Sequence, residues 1–387
     1  MELKLDRRNL FLLTTAHAFN DMNQGAIPAL IPFIVSSQGL NYIGAAGITV
    51  ASTLISSLLQ PLLGLTSDRK PIPWLIPLGI LIGGAGVALS GFMNAYKLIL
   101  AVLLLSGIGT AAFHPEAYRF ANYFSRRQTA TGMSIFSVGG NLGFAIGPLV
   151  LTFSVLHWGL SGTLILIIPA LIMSLIYVID LPHLHHLRNH TETNQMATQK
   201  SDWKAFSLLL TIIVVRSMAY YSLSSFVPLF LINYRHFPTA VANSALTIMS
   251  VASVLGALVG GALADHWGHK RVLFLLAITI SLMIFLFVFS SSWWLFVFIA
   301  IASGGLAASF TISMVMGQYY GRANIGLSSG LTTGLAIGLG GISAPLFGLF
   351  ADSLGLAATL NLTGVLPLIA ALIVLRLPNQ FSPEEIA

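Results

Sequence analysis

No cysteine occurs among the 387 residues, so the chain can form neither a disulfide nor a thiolate metal site. Charge is almost as scarce. Charged residues make up 8 % and apolar residues 56 %, against about 25 % charged in an ordinary soluble domain. A water-facing surface of this size needs far more charge than that, so lipid takes the place of water as the outer solvent. A formal net charge of +6 would suggest nucleic acid in a soluble domain, but the positions of the basic residues give it another meaning.

A helix needs about 20 apolar residues to cross the hydrocarbon. Breaks at charges, prolines and polar clusters predict twelve spans, near 10–35, 44–64, 74–93, 97–121, 128–153 and 160–180, then 204–232, 241–264, 271–290, 293–318, 325–350 and 355–376. The start, Lys4 through Ala18, has basic residues and an Ala16-His17-Ala18 triplet in the manner of a signal peptide. Apolar sequence resumes through Ile27–Val35, which predicts a retained first span. Fifteen of the eighteen lysines and arginines fall at the termini or in the even-numbered loops. Only Lys97 and Arg235 lie on the other side, and Arg216 lies inside a span. By the positive-inside rule both termini are cytoplasmic. The expectation is a multi-pass protein of the cytoplasmic (inner) membrane, surrounded by lipid and without nucleic acid.

Five residue pairs share one offset of 197 positions: Gly64 and Gly261, Asp68 and Asp265, Gly107 and Gly304, Gly143 and Gly340, Pro148 and Pro345. Each pair occupies corresponding places in the two sets of six spans. Two parallel six-span halves are the repeat of the major facilitator fold, where substrate binds near the midplane. The expected architecture is an all-α membrane protein of that fold. Its twelve transmembrane helices form two pseudo-symmetric halves, 1–180 and 204–387, joined by a cytoplasmic linker at 181–203. The linker histidines His183, His185, His186 and His190 have no carboxylate or cysteine to complete a metal set and read as solvated.

The run Gly261-Ala262-Leu263-Ala264-Asp265-His266-Trp267-Gly268-His269-Lys270-Arg271 resembles the signature loop of the major facilitator superfamily, and Gly64-Leu65-Thr66-Ser67-Asp68-Arg69-Lys70 is a clipped first copy. Glycine permits close helix approach, and an aspartate can meet the positive end of a helix. Gly64, Asp68, Arg69, Gly261, Asp265 and Arg271 are therefore candidate gating residues. Span five, with Gly139-Gly140-Asn141, Gly143, Gly147 and Pro148, and span eleven, with Gly334, Gly338, Gly340, Gly341 and Pro345, carry small-residue faces for close packing.

Three stretches look like the fosmidomycin-resistance branch of that superfamily. They are Leu58-Leu59-Gln60-Pro61 followed by Gly64, Asp68, Pro71, Pro73 and Trp74; Phe113-His114-Pro115-Glu116 with Arg119; and His17, Asn20 and Asp21. Where drug antiporters of the superfamily carry an arginine in span four, this chain has Leu103. The resemblance implies a proton-coupled secondary transporter, an efflux antiporter for small amphiphilic or anionic compounds such as fosmidomycin, acting by alternating access.

An ionisable group inside a span costs at least ~2.5–3.5 kcal/mol, so each one needs a reason. His17, Asp21, His114 and Glu116 are the candidate proton-coupling set, because histidine beside carboxylate exchanges protons in the physiological range. His114 and Glu116 have an equal claim to a gating role beside Pro115. Arg216 is the candidate receiver of an anionic group, or else a counter-ion for a buried carboxylate. Asn20, Asn23, Gln24, Tyr220, Tyr221 and Ser224 could add hydrogen bonds to a small-molecule substrate. No cofactor and no resident metal are expected, and the chain is expected to act as a monomer. A proton-coupled organic-anion uptake symporter and a divalent-metal transporter using His17, Asp21, His114 and Glu116 are the alternatives. Neither His-Glu-x-x-His nor a hydrolase elbow occurs, which argues against an enzyme.

Overall fold

The computed structural model describes residues 6–69, 72–125, 129–187, 201–321, 328 and 331–378. Every regular element among them is helical, as lipid demands, since only a helix or a closed barrel satisfies its own backbone in hydrocarbon. The α-helices are α1 (Arg7–Gln38), α2 (Tyr42–Arg69), α3 (Leu75–Ser90), α4 (Tyr96–Ser125), α5 (Thr129–Trp158) and α6 (Ile167–Leu187). They continue with α7 (Trp203–Asn233), α8 (Thr239–Trp267), α9 (His269–Phe289), α10 (Trp294–Tyr320), α11 (Ala336–Leu354) and α12 (Leu356–Val374). Each matches one predicted span in order. A 3-10 stretch, Gly159–Leu166, leads into α6, and a π turn, Leu331–Leu335, leads into α11.

Among the described residues, eight stretches are long and apolar enough to cross a membrane, one of which, Ile135–Leu181, runs through α5 and α6 together. The helices Leu75–Ser90 and Gly338–Leu354 are apolar but shorter. Large side chains such as Ile179, Leu258 and Phe289 are exposed, the inverse of a soluble surface. Helix α6 continues to Leu187, past the point where the polar linker was expected to begin. Single glycines at positive φ, Gly268 between α8 and α9 and Gly355 between α11 and α12, reverse the chain where another residue would be strained.

The chain divides into two compact units, Met1–Leu40 with Gly47–Asn194, and Asn41–Ala46 with Gln195–Ala387. In the first, Leu13, Ile80, Phe113, Phe124, Phe136 and Tyr177 form the core. In the second, Leu209, Ile213, Leu273, Ile312, Met316 and Val374 do so.

Each unit repeats the other in its contacts as well as its sequence. A Cβ at Gly143 would strike the α1 backbone at Ala18 and Met22, and one at Gly340 would strike α7 at Ser217 and Tyr221. Asp6 caps α1 through the Asn9 N–H, and its own N–H donates to the Phe124 carbonyl at 2.9 Å. Asp202 caps α7 through the Ala205 N–H, and its N–H donates to the Tyr320 carbonyl at 2.8 Å. At another paired position the small residues are exchanged. Gly132 lies against Ser125 in the first unit, whereas Gly321 lies against Ser328 in the second. The requirement for one glycine and one serine survives although their places are swapped.

Candidate functional site

Four polar side chains of α1 fall at 17, 20, 21 and 24, a spacing that puts them on one helix face. Helix α4 carries Ser106, Thr110 and His114 at intervals of four, and the two stripes meet rung by rung. Gln24 donates to the Thr110 hydroxyl at 2.7 Å and to Ser106 at 3.3 Å. One turn along, Asp21 Oδ1 lies 3.3 Å from His114 Nε2, and Asp21 Oδ2 lies 3.1 Å from His17 Nε2. The next rung is Tyr118, whose ring contacts both imidazoles.

Both histidines are held from behind. His17 Nδ1–H donates to the Phe136 carbonyl and His114 Nδ1–H to the Thr110 carbonyl, each at 2.9 Å. Phe136 also stacks on the His17 ring at 4.1 Å and 17°. Asn20 donates to Asp21 Oδ1 at 3.0 Å. Helix α5 can approach this closely only because position 140 is glycine. A Cβ there would lie 2.6 Å from the His17 ring and 2.7 Å from Asp21 Oδ2. The result is one buried carboxylate between two imidazoles, the three ligand atoms within 4.8 Å of one another.

Glu116 does not join this cluster. Fully buried, its carboxylate accepts from the Ile72 N–H at 2.6 Å and from Arg119 at 2.6 and 3.1 Å. It ties the turn before α3 to the end of α4. Of the expected substrate contacts on α1, Asn20 and Asn23 are buried. The Asn23 amide donates to the Phe19 carbonyl of its own helix, and the two side chains lie against Gly83 and Gly84 of α3. Both are engaged in helix packing.

In the second unit Arg216 donates from Nε to the Leu306 carbonyl at 2.9 Å. Its guanidinium lies over Phe310 at 4.7 Å and Tyr220 at 5.5 Å. None of the three ion pairs among the described residues includes it. Tyr221 meets Tyr220 edge-on, and Ser224 donates to the Tyr221 carbonyl. Of the gating set, the side chains of Asp68, Arg69 and Asp265 lie outside the described residues. A Cβ at Gly64 or Gly261 would meet nothing within 4 Å, so close helix approach is not what these two glycines provide here. Arg271 is exposed, and its neighbour Lys270 donates to the Leu375 and Leu377 carbonyls beyond the end of α12.

The Major Facilitator Superfamily profile matches residues 13–245 and 209–386. The chain belongs to that family. It is a multi-pass membrane transporter for a small molecule. It is 28 % identical over 378 residues to the fosmidomycin resistance protein of Escherichia coli (strain K12), covering 95 % of this chain and 92 % of that one. It is 27 % identical over 384 residues to the uncharacterized MFS-type transporter YfnC of Bacillus subtilis (strain 168), covering 96 % and 93 %. Among solved structures, a bacterial homolog of the human lysosomal transporter Spinster, inward-facing and unoccupied, superposes with a TM-score of 0.78 at 16 % identity, over 98 % of this chain and 99 % of that one. The nucleoside transporter NupG gives 0.77 at 14 % identity, over 97 % and 99 %. These two likenesses concern the fold alone.

The facilitator's sequence pointed to His17, Asp21 and His114, while Thr110, Tyr118, Phe136 and Gly140 were not singled out for this cluster. The 106–110–114 spacing opposite 17–21–24 was the available signal for the α4 rungs. Position 140 was noted only as part of a packing face. Glu116→Gln keeps the shape but removes the charge that Arg119 pairs with. Breaking a buried pair of this kind costs about 3 kcal/mol. The thermal midpoint of the purified variant should fall clearly, while proton exchange at the separate Asp21 cluster persists. A variant as stable as the parent but defective in proton exchange would return Glu116 to the coupling set.

Proposed function

We propose that this facilitator is a proton-coupled exporter of small anionic compounds, an antiporter working by alternating access in the cytoplasmic membrane. The observation that carries the reading is Asp21, a buried carboxylate with an imidazole on each oxygen. An exporter driven by protons needs a group that gains and loses them within the membrane, and carboxylate beside histidine does so in the physiological range. Gln24 and Asn20 fix the α1 face that carries it.

Arg216 supports an anionic cargo. A half-buried guanidinium that meets, among the described residues, a backbone carbonyl and two aromatic faces still has the planar fork that suits phosphonate or carboxylate oxygens. Tyr220 and Tyr221 are the proposed neighbours of that cargo, and the fosmidomycin-resistance relative makes fosmidomycin the first compound to try. Gly64, Asp68, Arg69, Gly261, Asp265 and Arg271 remain the proposed gate, on their loop motif. The uptake reading shares all these residues and is separated by the direction of flux alone. For the divalent-metal reading, His17, Asp21 and His114 are together, but Glu116, its fourth ligand, is held by Arg119 and Ile72, so protons are preferred.

In everted membrane vesicles, fosmidomycin should discharge a preformed proton gradient, and Asp21→Asn should abolish the discharge while leaving fosmidomycin binding intact and flat with pH. Discharge by Asp21→Asn at the parent rate would remove the coupling assignment. Arg216→Lys keeps the charge and loses the fork. Its affinity for fosmidomycin should drop about tenfold or more, roughly 1.4 kcal/mol, with the thermal midpoint nearly unchanged. Normal affinity with a lowered midpoint would make Arg216 a structural residue.

A further inference from the structure

The proton inventory of the Asp21 cluster fixes a number. A backbone carbonyl has no proton to give, so the contacts of His17 with Phe136 and of His114 with Thr110 require a proton on each Nδ1. A neutral imidazole carries one N–H only. Each Nε2 therefore presents a lone pair to Asp21, and the two lone pairs face different oxygens of the same carboxylate, at 3.1 and 3.3 Å. Lone pair against carboxylate repels. Each contact becomes a hydrogen bond only when a proton lies in it, whether that proton is assigned to nitrogen or to oxygen.

One proton would satisfy one contact and leave the other repulsive. The Asn20 amide cannot substitute, because its N–H donates to Oδ1 itself and supplies no proton to the lone pair of either imidazole. We infer that the cluster as it stands holds two exchangeable protons, and that the transporter couples two protons to each substrate. The inference rests on the proton-coupled reading above and adds the stoichiometry to it.

Loaded, the three groups carry a net charge of +1. Emptied of both protons they carry −1, with two lone pairs directed at a carboxylate, an arrangement that must open. Loading and emptying thus differ by two charges and by the stability of the α1–α4 seam, which gives protons a purchase on conformation. The surroundings add little competition. Helix α5 brings Phe136 and Gly140, and α3 brings Gly83 against Asn20; none of these titrates. Among the described residues, Tyr118 of α4 is a further titratable side chain in contact. Glu116 and Arg119 on that helix are bound to each other.

The count can be read without any ligand. Full-length transporter in detergent, labelled with 15N in histidine and 13C in the aspartate carboxyl, would be titrated by NMR between pH 5 and 9. Signals would be assigned by their loss in His17→Gln, His114→Gln and Asp21→Asn. Both rings should keep the Nδ1 proton throughout, and the three groups together should lose two protons, falling to one in either histidine variant. Release of a single proton by the parent would overturn the stoichiometry and leave proton coupling standing. No release from any of the three groups would remove both. Should the histidine variants fail to fold, Asp21→Asn still assigns both rings by shift, because each faces that carboxylate, and the parent then yields the count.

Discussion

A carboxylate taken out of water must be met by protons or by cations, and much of the first unit is arranged around meeting one. Asp21 sits on α1 where the hydrophobic run should be unbroken, and it is tolerable there because α4 supplies His114 and α1 itself supplies His17 one turn back. Those imidazoles in turn require carbonyl acceptors, which α4 provides at Thr110 and α5 at Phe136. The Phe136 acceptor requires α5 to lie against α1, and that approach requires glycine at 139, 140, 143 and 147, where any side chain would strike α1. A glycine stripe that reads as generic packing in the sequence is thus tied to the carboxylate and imidazoles beside it.

Large parts of this were legible from the sequence. The order and type of the helices among the described residues follow from apolar length broken by charge and proline. The repeat follows from a constant offset, because glycine, aspartate and proline mark backbone requirements that each half must meet separately. Asp21 and its histidines were legible because ionisable groups in lipid are too costly to be incidental. Glu116 is turned away from them for a physical reason. It lies two positions after His114 on one helix, and residues two apart do not face the same way; its carboxylate is turned to Arg119 and the Ile72 N–H.

Other features were hidden because they depend on backbone atoms. The carbonyls of Phe136, Thr110 and Leu306 orient His17, His114 and Arg216, and no side-chain pattern announces a carbonyl. The capping pair Asp6 and Asp202, and the exchange of Gly132 and Ser125 for Ser328 and Gly321, sit at an offset of 196 instead of 197. The exchanged pair in particular escapes a search for identical residues, since what is preserved is the space between two helix ends and not the residue at either position. Asn20, Asn23 and Gln24 look like cargo ligands in sequence, yet the first two pack on α3 and the third on α4. Polar side chains in lipid are as useful between helices as toward a substrate.

The claim at the centre is that proton movement through Asp21 drives cargo movement. Proteoliposomes containing the purified chain, loaded at acid pH and diluted into alkaline buffer, should accumulate labelled fosmidomycin above its external concentration. A protonophore added at the plateau should release it. Accumulation that survives the protonophore, or equilibration without accumulation at any imposed gradient, would contradict the account.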